Sequence, residues 1–232
     1  MAIKGFEKVT KTKRKNLIIS VEGMEKTGKT TFGLTAPEPI ALFDMDIGTD
    51  RALNKVIPGK NVWSFCTNYR LSNDPDEWKE LWSKLRKSWY DALSASQKDC
   101  GSVVADTFTE VYELIRLAHF GKLSNVLPHH YGPVNAELRD MINISKDSGK
   151  NVILIHKVKD EYINDKTTGK KKRAGFAEVG YLADINIVTS WKADTGFVFT
   201  IRDCGQNMDL AGMELVGDMI NFDTIAEMVN TD

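Results

Sequence analysis

Apolar residues along the chain fall into two rhythms. Short, nearly unbroken runs recur at Leu17-Ile18-Ile19-Ser20-Val21, Ile40-Ala41-Leu42-Phe43, Val103-Val104-Ala105 and Val152-Ile153-Leu154-Ile155. Such runs, rich in β-branched residues and bounded by polar segments, predict strands buried on both faces. Residues 61–66 predict another short strand. Between the runs, apolar residues recur three and four apart. Trp78, Leu81, Trp82, Leu85, Trp89 and Leu93 trace one helix face after Ser72-Asn73-Asp74-Pro75, whose proline suits a first helical turn. The tryptophans on that stripe predict core packing rather than base stacking, with Lys79, Lys84, Arg86 and Lys87 on the wet side. Val111, Leu114, Ile115 and Ala118 trace a second helix. Val134, Leu138, Met141, Ile142 and Ser145 trace a third, ending near Gly149.

Strands alternating with helices predict an α/β fold with a mostly parallel central sheet flanked by helices. Residues 184–192 and 197–202, joined through Ala193-Asp194-Thr195-Gly196, predict a C-terminal antiparallel hairpin on that sheet, and 222–229 a closing helix. The domain reading is a basic arm over 1–15 and one domain over 16–232.

The first strand runs into Gly23-Met24-Glu25-Lys26-Thr27-Gly28-Lys29-Thr30, followed by Thr31. Glycine, four residues, then Gly-Lys-Ser/Thr is the phosphate-binding loop pattern. Its glycines let successive N–H groups turn toward phosphate oxygens. The lysine reaches the β- and γ-phosphates, and the hydroxyl of Thr30 is placed to ligate Mg²⁺. Strand before and helix after complete the setting such a loop needs. Two further strands end in acids: Asp44 and Asp46 follow the second, and Asp106 with Thr107 follows Val103-Val104-Ala105. Ligands of open α/β sheets gather at that edge. The strand at 151–155 delivers His156 and Lys157 to it.

Composition narrows the rest. The chain has 232 residues, 27% of them charged, with a net charge of −1, so any nucleic-acid contact must come from local patches. Three scattered cysteines argue against a disulfide framework or a zinc site. No apolar run approaches membrane-spanning length, and the N-terminus lacks a signal-peptide pattern. A cytoplasmic location is expected. Lys4, Lys8, Lys11, Lys13, Arg14 and Lys15 make residues 1–15 basic, the pattern of a solvated arm or a nucleic-acid or subunit contact. Residues 159–180 form a polar stretch with a turn expected at Thr167-Thr168-Gly169 and a basic run, Lys170, Lys171, Lys172 and Arg173. Such a run either neutralises phosphates without reading sequence or is a solvated tip. His129 and His130 lack neighbours at metal-ligand spacing.

The ordered set of phosphate loop, Asp-Met-Asp, Val-Val-Ala-Asp-Thr and Ile-Leu-Ile-His-Lys resembles the RecA-like P-loop NTPase core. It resembles more closely the small bacteriophage nucleotide-binding ATPases related to RecA and RadA, some of which act in single-strand annealing or recombination. The likeness spans roughly residues 16–202. It implies an ATPase using ATP and Mg²⁺, with Lys29 and Thr30 as phosphate and metal residues and Asp106 as the second metal acid. Asp46 takes the position of a water-polarising glutamate, with Asp44 as competitor. Lys157 or His156 takes that of a γ-phosphate sensor. The resemblance also implies single-stranded DNA as partner, through loops 119–133 (His129, His130) and 158–180 (Lys170, Lys171, Lys172, Arg173), and a homo-oligomer in which Arg173, Arg202 or an N-terminal lysine completes a neighbour's site. Two rivals stay open: a nucleotide-switched assembly or regulatory protein that never touches DNA, and a nucleotide or nucleoside kinase with 158–180 as lid.

Overall fold

The computed structural model describes residues 16–48, 52, 59–123 and 125–230; the basic arm over 1–15 lies outside them. Five strands, β1 (Ile18–Gly23), β2 (Ile40–Asp44), β3 (Val62–Cys66), β4 (Ser102–Asp106) and β5 (Asn151–His156), run parallel to one another. On the far side of β1 lies β8 (Ile185–Lys192), also parallel to it, and then β9 (Gly196–Cys204) and β10 (Glu214–Val216), each antiparallel to its neighbour. The order across the sheet is β10-β9-β8-β1-β5-β4-β2-β3. This is the expected mostly parallel α/β sheet with its antiparallel hairpin, now extended by β10.

Two cores, one on each face, account for the unbroken apolar runs. Along β5, Val152 and Leu154 enter one core while Ile153 and Ile155 enter the other. The first core is built on α2 (Pro75–Ser94), α3 (Phe108–Phe120) and α4 (Gly132–Asp147). Its tryptophans Trp78, Trp82 and Trp89 are buried, so the stripe is packing, as expected. The Asp74 side chain caps α2 by accepting from the Asp76 N–H, and Pro75 occupies the first turn. The second core covers α1 (Lys29–Gly33) and the closing helix α6 (Phe222–Asn230). The short α5 (Val179–Leu182) precedes β8.

One expectation changes. Residues 158–180 are not a plain loop but begin with a separate two-stranded hairpin, β6 (Val158–Ile163) and β7 (Lys166–Arg173). Its turn is Asn164-Asp165, both with positive φ, while Thr167, Thr168 and Gly169 lie within β7. A two-residue turn of that hand matches the twist of the paired strands, and Asn and Asp tolerate it. No helix among the described residues is long and apolar enough to cross a membrane.

Candidate functional site

The parallel strands deliver their C-terminal residues to one edge of the sheet, and the sequence-predicted residues meet there. A cleft of about 420 Å³ is lined by the loop from Gly23 to Lys26, by Lys29 and Thr30, and by Asp46, Asp106 and Lys157. Strand register explains part of this: Asp44 lies directly across from Asp106, and Asp106 from Ile155, just short of Lys157. Strand β5 separates β1 from β4, leaving a strand's width between the loop and the Asp106 tip.

The loop is held from behind by β8. A Cβ on Gly23 would sit 2.1 Å from Thr189 Oγ1 and 2.6 Å from its carbonyl oxygen, so only glycine fits. Thr27, buried, donates to the Met24 carbonyl at 2.7 Å and shares a 2.5 Å hydroxyl contact with Thr189. Gly28, at φ 87°, turns the chain into α1 in a left-handed conformation suited to glycine. Among the described residues, no backbone N–H of 25–28 donates to a protein carbonyl. Thr31 is exposed at the start of α1 and does not line the cleft.

Lys29 folds back onto its own loop, donating to the Gly23 carbonyl at 2.9 Å and to that of Met24. Burial lowers its pKa, opposed by the nearby carboxylates of Asp106 and Asp46. The Thr30 hydroxyl donates to Asp106 Oδ2 at 2.6 Å. Burial pushes the Asp106 carboxyl up to about 6; the Thr30 hydrogen bond and Lys29 pull the other way, while Asp44 and Asp46 add to the rise. A carboxylate at a strand tip with a hydroxyl beside it, Asp106 with Thr30, offers the oxygen donors a hard divalent cation takes. Unpaired loop N–H groups beside a lysine suit phosphate oxygens. Mg²⁺ with a nucleotide therefore fits these residues.

Asp44, the last residue of β2, is buried and accepts from the Gly48 N–H at 3.3 Å, whereas Asp46, two residues on, is partly exposed at the cleft. Lys157 donates to Asp46 Oδ1 at 2.8 Å and to Glu110 Oε1 at 2.6 Å. These partners raise the Lys157 pKa against its burial. His156 points the other way. It is fully buried, its ring edge-on to Phe108, and burial holds its pKa well below the usual histidine range. Of the two sensor candidates only Lys157 reaches the cleft.

One sequence expectation needs correction. Arg173 is not part of an exposed basic surface: its side chain is 9% exposed, donating to Glu22 Oε2 at 2.6 Å and Asn186 Oδ1 at 2.9 Å. The pairing of β7 turns this last residue inward, whereas a contiguous run of like charges reads as one solvated face. Arg202, offered as a cation for a neighbouring subunit, also donates to Glu22, at 2.6 Å. Lys170, Lys171 and Lys172 are all exposed, and Lys171 pairs across the hairpin with Asp160 at 2.7 Å. His129 and His130 lie in an exposed 3-10 turn, Pro128–Tyr131, with their rings 4.1 Å apart and away from the cleft lining. No group of three or more His, Cys, Asp or Glu placed to hold a metal ion occurs among the described residues.

A family model described as an AAA domain matches residues 15–185. The chain belongs to the AAA domain family. No curated protein matches it. The AAA domain match runs from just before β1 to the first residue of β8, so it contains every residue of the cleft lining. It makes this a P-loop NTPase-type domain, a nucleotide-binding and nucleotide-hydrolysing class.

Within this AAA domain, Glu110 went unread in the sequence. It sits in the first turn of α3, and its side chain is 2% exposed. Tyr69 Oη donates to its Oε2, as do both Nε and Nη2 of Arg70. Thr107 and Glu110 have the spacing of a capping box, but only half of one forms: the Thr107 hydroxyl accepts from the Glu110 N–H at 3.3 Å. The carboxylate turns to Lys157, Arg70 and Tyr69 instead. The signal that marks it is its place on the apolar stripe of α3, one turn before Leu114.

Proposed function

We propose that this AAA domain is a Mg²⁺-dependent ATPase acting on single-stranded DNA. One observation supports the reading above the others: Lys29, Thr30, Asp46, Asp106 and Lys157, from four separate segments, line a single cleft together with the loop from Gly23 to Lys26. Thr30 and Asp106 would hold Mg²⁺, which when bound supplies charge stabilisation to the phosphates. Lys29 exchanges its loop carbonyls for phosphate oxygens. Asp46 orients the attacking water and takes its proton, and Lys157 faces the charge that develops on the transferred phosphoryl group. Adenine as the base, and DNA as the partner, follow from the resemblance to RecA-related phage ATPases. Exposed Lys170 and Lys172 on β7 are the DNA-facing charges in this reading.

The inward turn of Arg173 and the pairing of Lys171 favour a second reading, a nucleotide-switched assembly protein without DNA binding. Phosphate release with and without single-stranded oligonucleotide, across a salt series, separates the two. DNA stimulation that falls steeply with salt supports the first, and indifference to oligonucleotide supports the second. Lys29→Ala is expected to remove detectable nucleotide binding. Asp46→Asn is expected to keep binding and to lower turnover by about 100-fold or more; unchanged turnover would remove Asp46 as the base.

A further inference from the structure

Lys157 is held by two carboxylates of unequal character. Glu110 is almost wholly buried, and its Oε2 is occupied by Tyr69 and Arg70, which leaves Oε1 to the lysine. Asp46 has a side chain 37% exposed and stands at the open cleft. The Lys157 backbone is fixed at both ends of its peptide: its N–H donates to Thr109 Oγ1 at 3.0 Å, and its carbonyl accepts from the Ala174 N–H at 2.9 Å. Only the outer part of the side chain is free to choose partners. An exposed ion pair is weakly held, whereas separating a buried carboxylate from its cation is strongly unfavourable. When multiple negative charge enters the cleft, the bond to Asp46 is the one that yields.

We propose that Lys157 is a shared cation, anchored on Glu110 and handed from Asp46 to the terminal phosphoryl group of a nucleoside triphosphate. While Lys157 Nζ is bonded to Asp46 Oδ1, that oxygen is engaged and cannot receive the attacking water; the arriving triphosphate draws the ammonium away and frees it. Water then forms its bond to phosphorus as the bond to the bridging oxygen breaks. The diphosphate leaves with that electron pair, and the water proton passes to Asp46 and on to solvent. A diphosphate lacks the group that draws Lys157 across and leaves the base blocked. Glu110 is a positioning residue: it touches no substrate and acts by keeping the lysine at the cleft.

The proposal rests on the nucleotide reading above, and binding measurements separate the two. Affinities for a non-hydrolysable ATP analogue and for ADP, both with Mg²⁺, are measured by calorimetry on the full chain. Asp46→Asn removes the competitor for Lys157 and is expected to tighten the triphosphate analogue about tenfold, with ADP changed less than about threefold. In a Lys157→Met background the same change should tighten the analogue by less than about threefold. Equal tightening in both backgrounds would mean simple relief of charge repulsion and would overturn the hand-over. Glu110→Gln should weaken the analogue about tenfold, and this loss should vanish when Lys157 is already methionine. A loss that persists there would make Glu110 merely structural. The Asp46–Lys157 cycle stands even if Glu110→Gln does not fold. A wild-type chain that binds neither nucleotide overturns the nucleotide reading itself.

Discussion

Two buried glutamates near the phosphate loop face the same electrostatic problem and solve it differently. Glu22, the last residue before Gly23, is met by the guanidinium groups of Arg173 and Arg202, one on each oxygen. Glu110 is met by one guanidinium, one phenol and one ammonium. Arg173 belongs to the base of the β6–β7 hairpin and Arg202 to β9, so Glu22 ties two elements to the loop strand. A planar guanidinium donates in a fixed fork, while an ammonium on a flexible stem can swing. The first arrangement fastens; the second leaves one partner able to leave. Burial of the acid is common to both, and the kind of cation decides which behaviour follows.

The comparison can be tested by breaking each side. Glu22→Ala strands the nearly buried Arg173 without its counter-ion, and the expected loss is about 3 kcal/mol or more of folding stability. For a chain of this length that is a fall of roughly 6–12 °C in Tm, read by thermal melting. A fall under about 2 °C would show that Glu22 does not fasten the hairpin base. Asp106 supplies a third buried carboxylate, one whose hydrogen bond comes from a neutral hydroxyl. Its folded pKa, raised from 3.8 to about 6, means the folded state holds its proton more tightly than the unfolded chain. The resulting penalty is therefore fully present above about pH 6 and absent below about pH 4. Without metal or nucleotide, Asp106→Asn should be more stable than wild type at pH 8, by up to about 3 kcal/mol, and lose that advantage on acidification. An advantage independent of pH would refute the assignment. The smallest effect is expected on the Glu110 side. Arg70 has a side chain 62% exposed, and Glu110 keeps Tyr69 and Lys157 without it, so Arg70→Ala should cost no more than about 1 kcal/mol in a denaturant titration.

Much of the fold was legible because its signals are local. The buried strands announce themselves as contiguous apolar runs, and α2 carries its cap, its proline and its tryptophan stripe within its own sequence. The phosphate loop is contiguous, and its acids fall at strand tips, so the cleft lining could be named before its geometry was known. What escaped depends on pairings between distant segments. Glu110 looks like an ordinary first-turn acid until β5 brings Lys157 beside it and Tyr69 and Arg70 close over it. Arg173 looks like the end of a charge run until the register of β7 turns it toward Glu22. His156 and Lys157 are adjacent in sequence, and only the pleat of the strand end separates the buried one from the one in the cleft. The hairpin turns at Asn164-Asp165, which supply the required backbone hand, although Thr167-Thr168-Gly169 carries the more familiar turn residues.

The close approach of Gly23 and Thr189 carries one more lesson. Substituting this glycine alone would force a methyl group into β8, and trimming Thr189 alone would take away a hydroxyl that Thr27 leans on. Neither position is free to drift by itself, so the opening residue of the motif is licensed by a strand far downstream, and a redesign of either must rewrite both together.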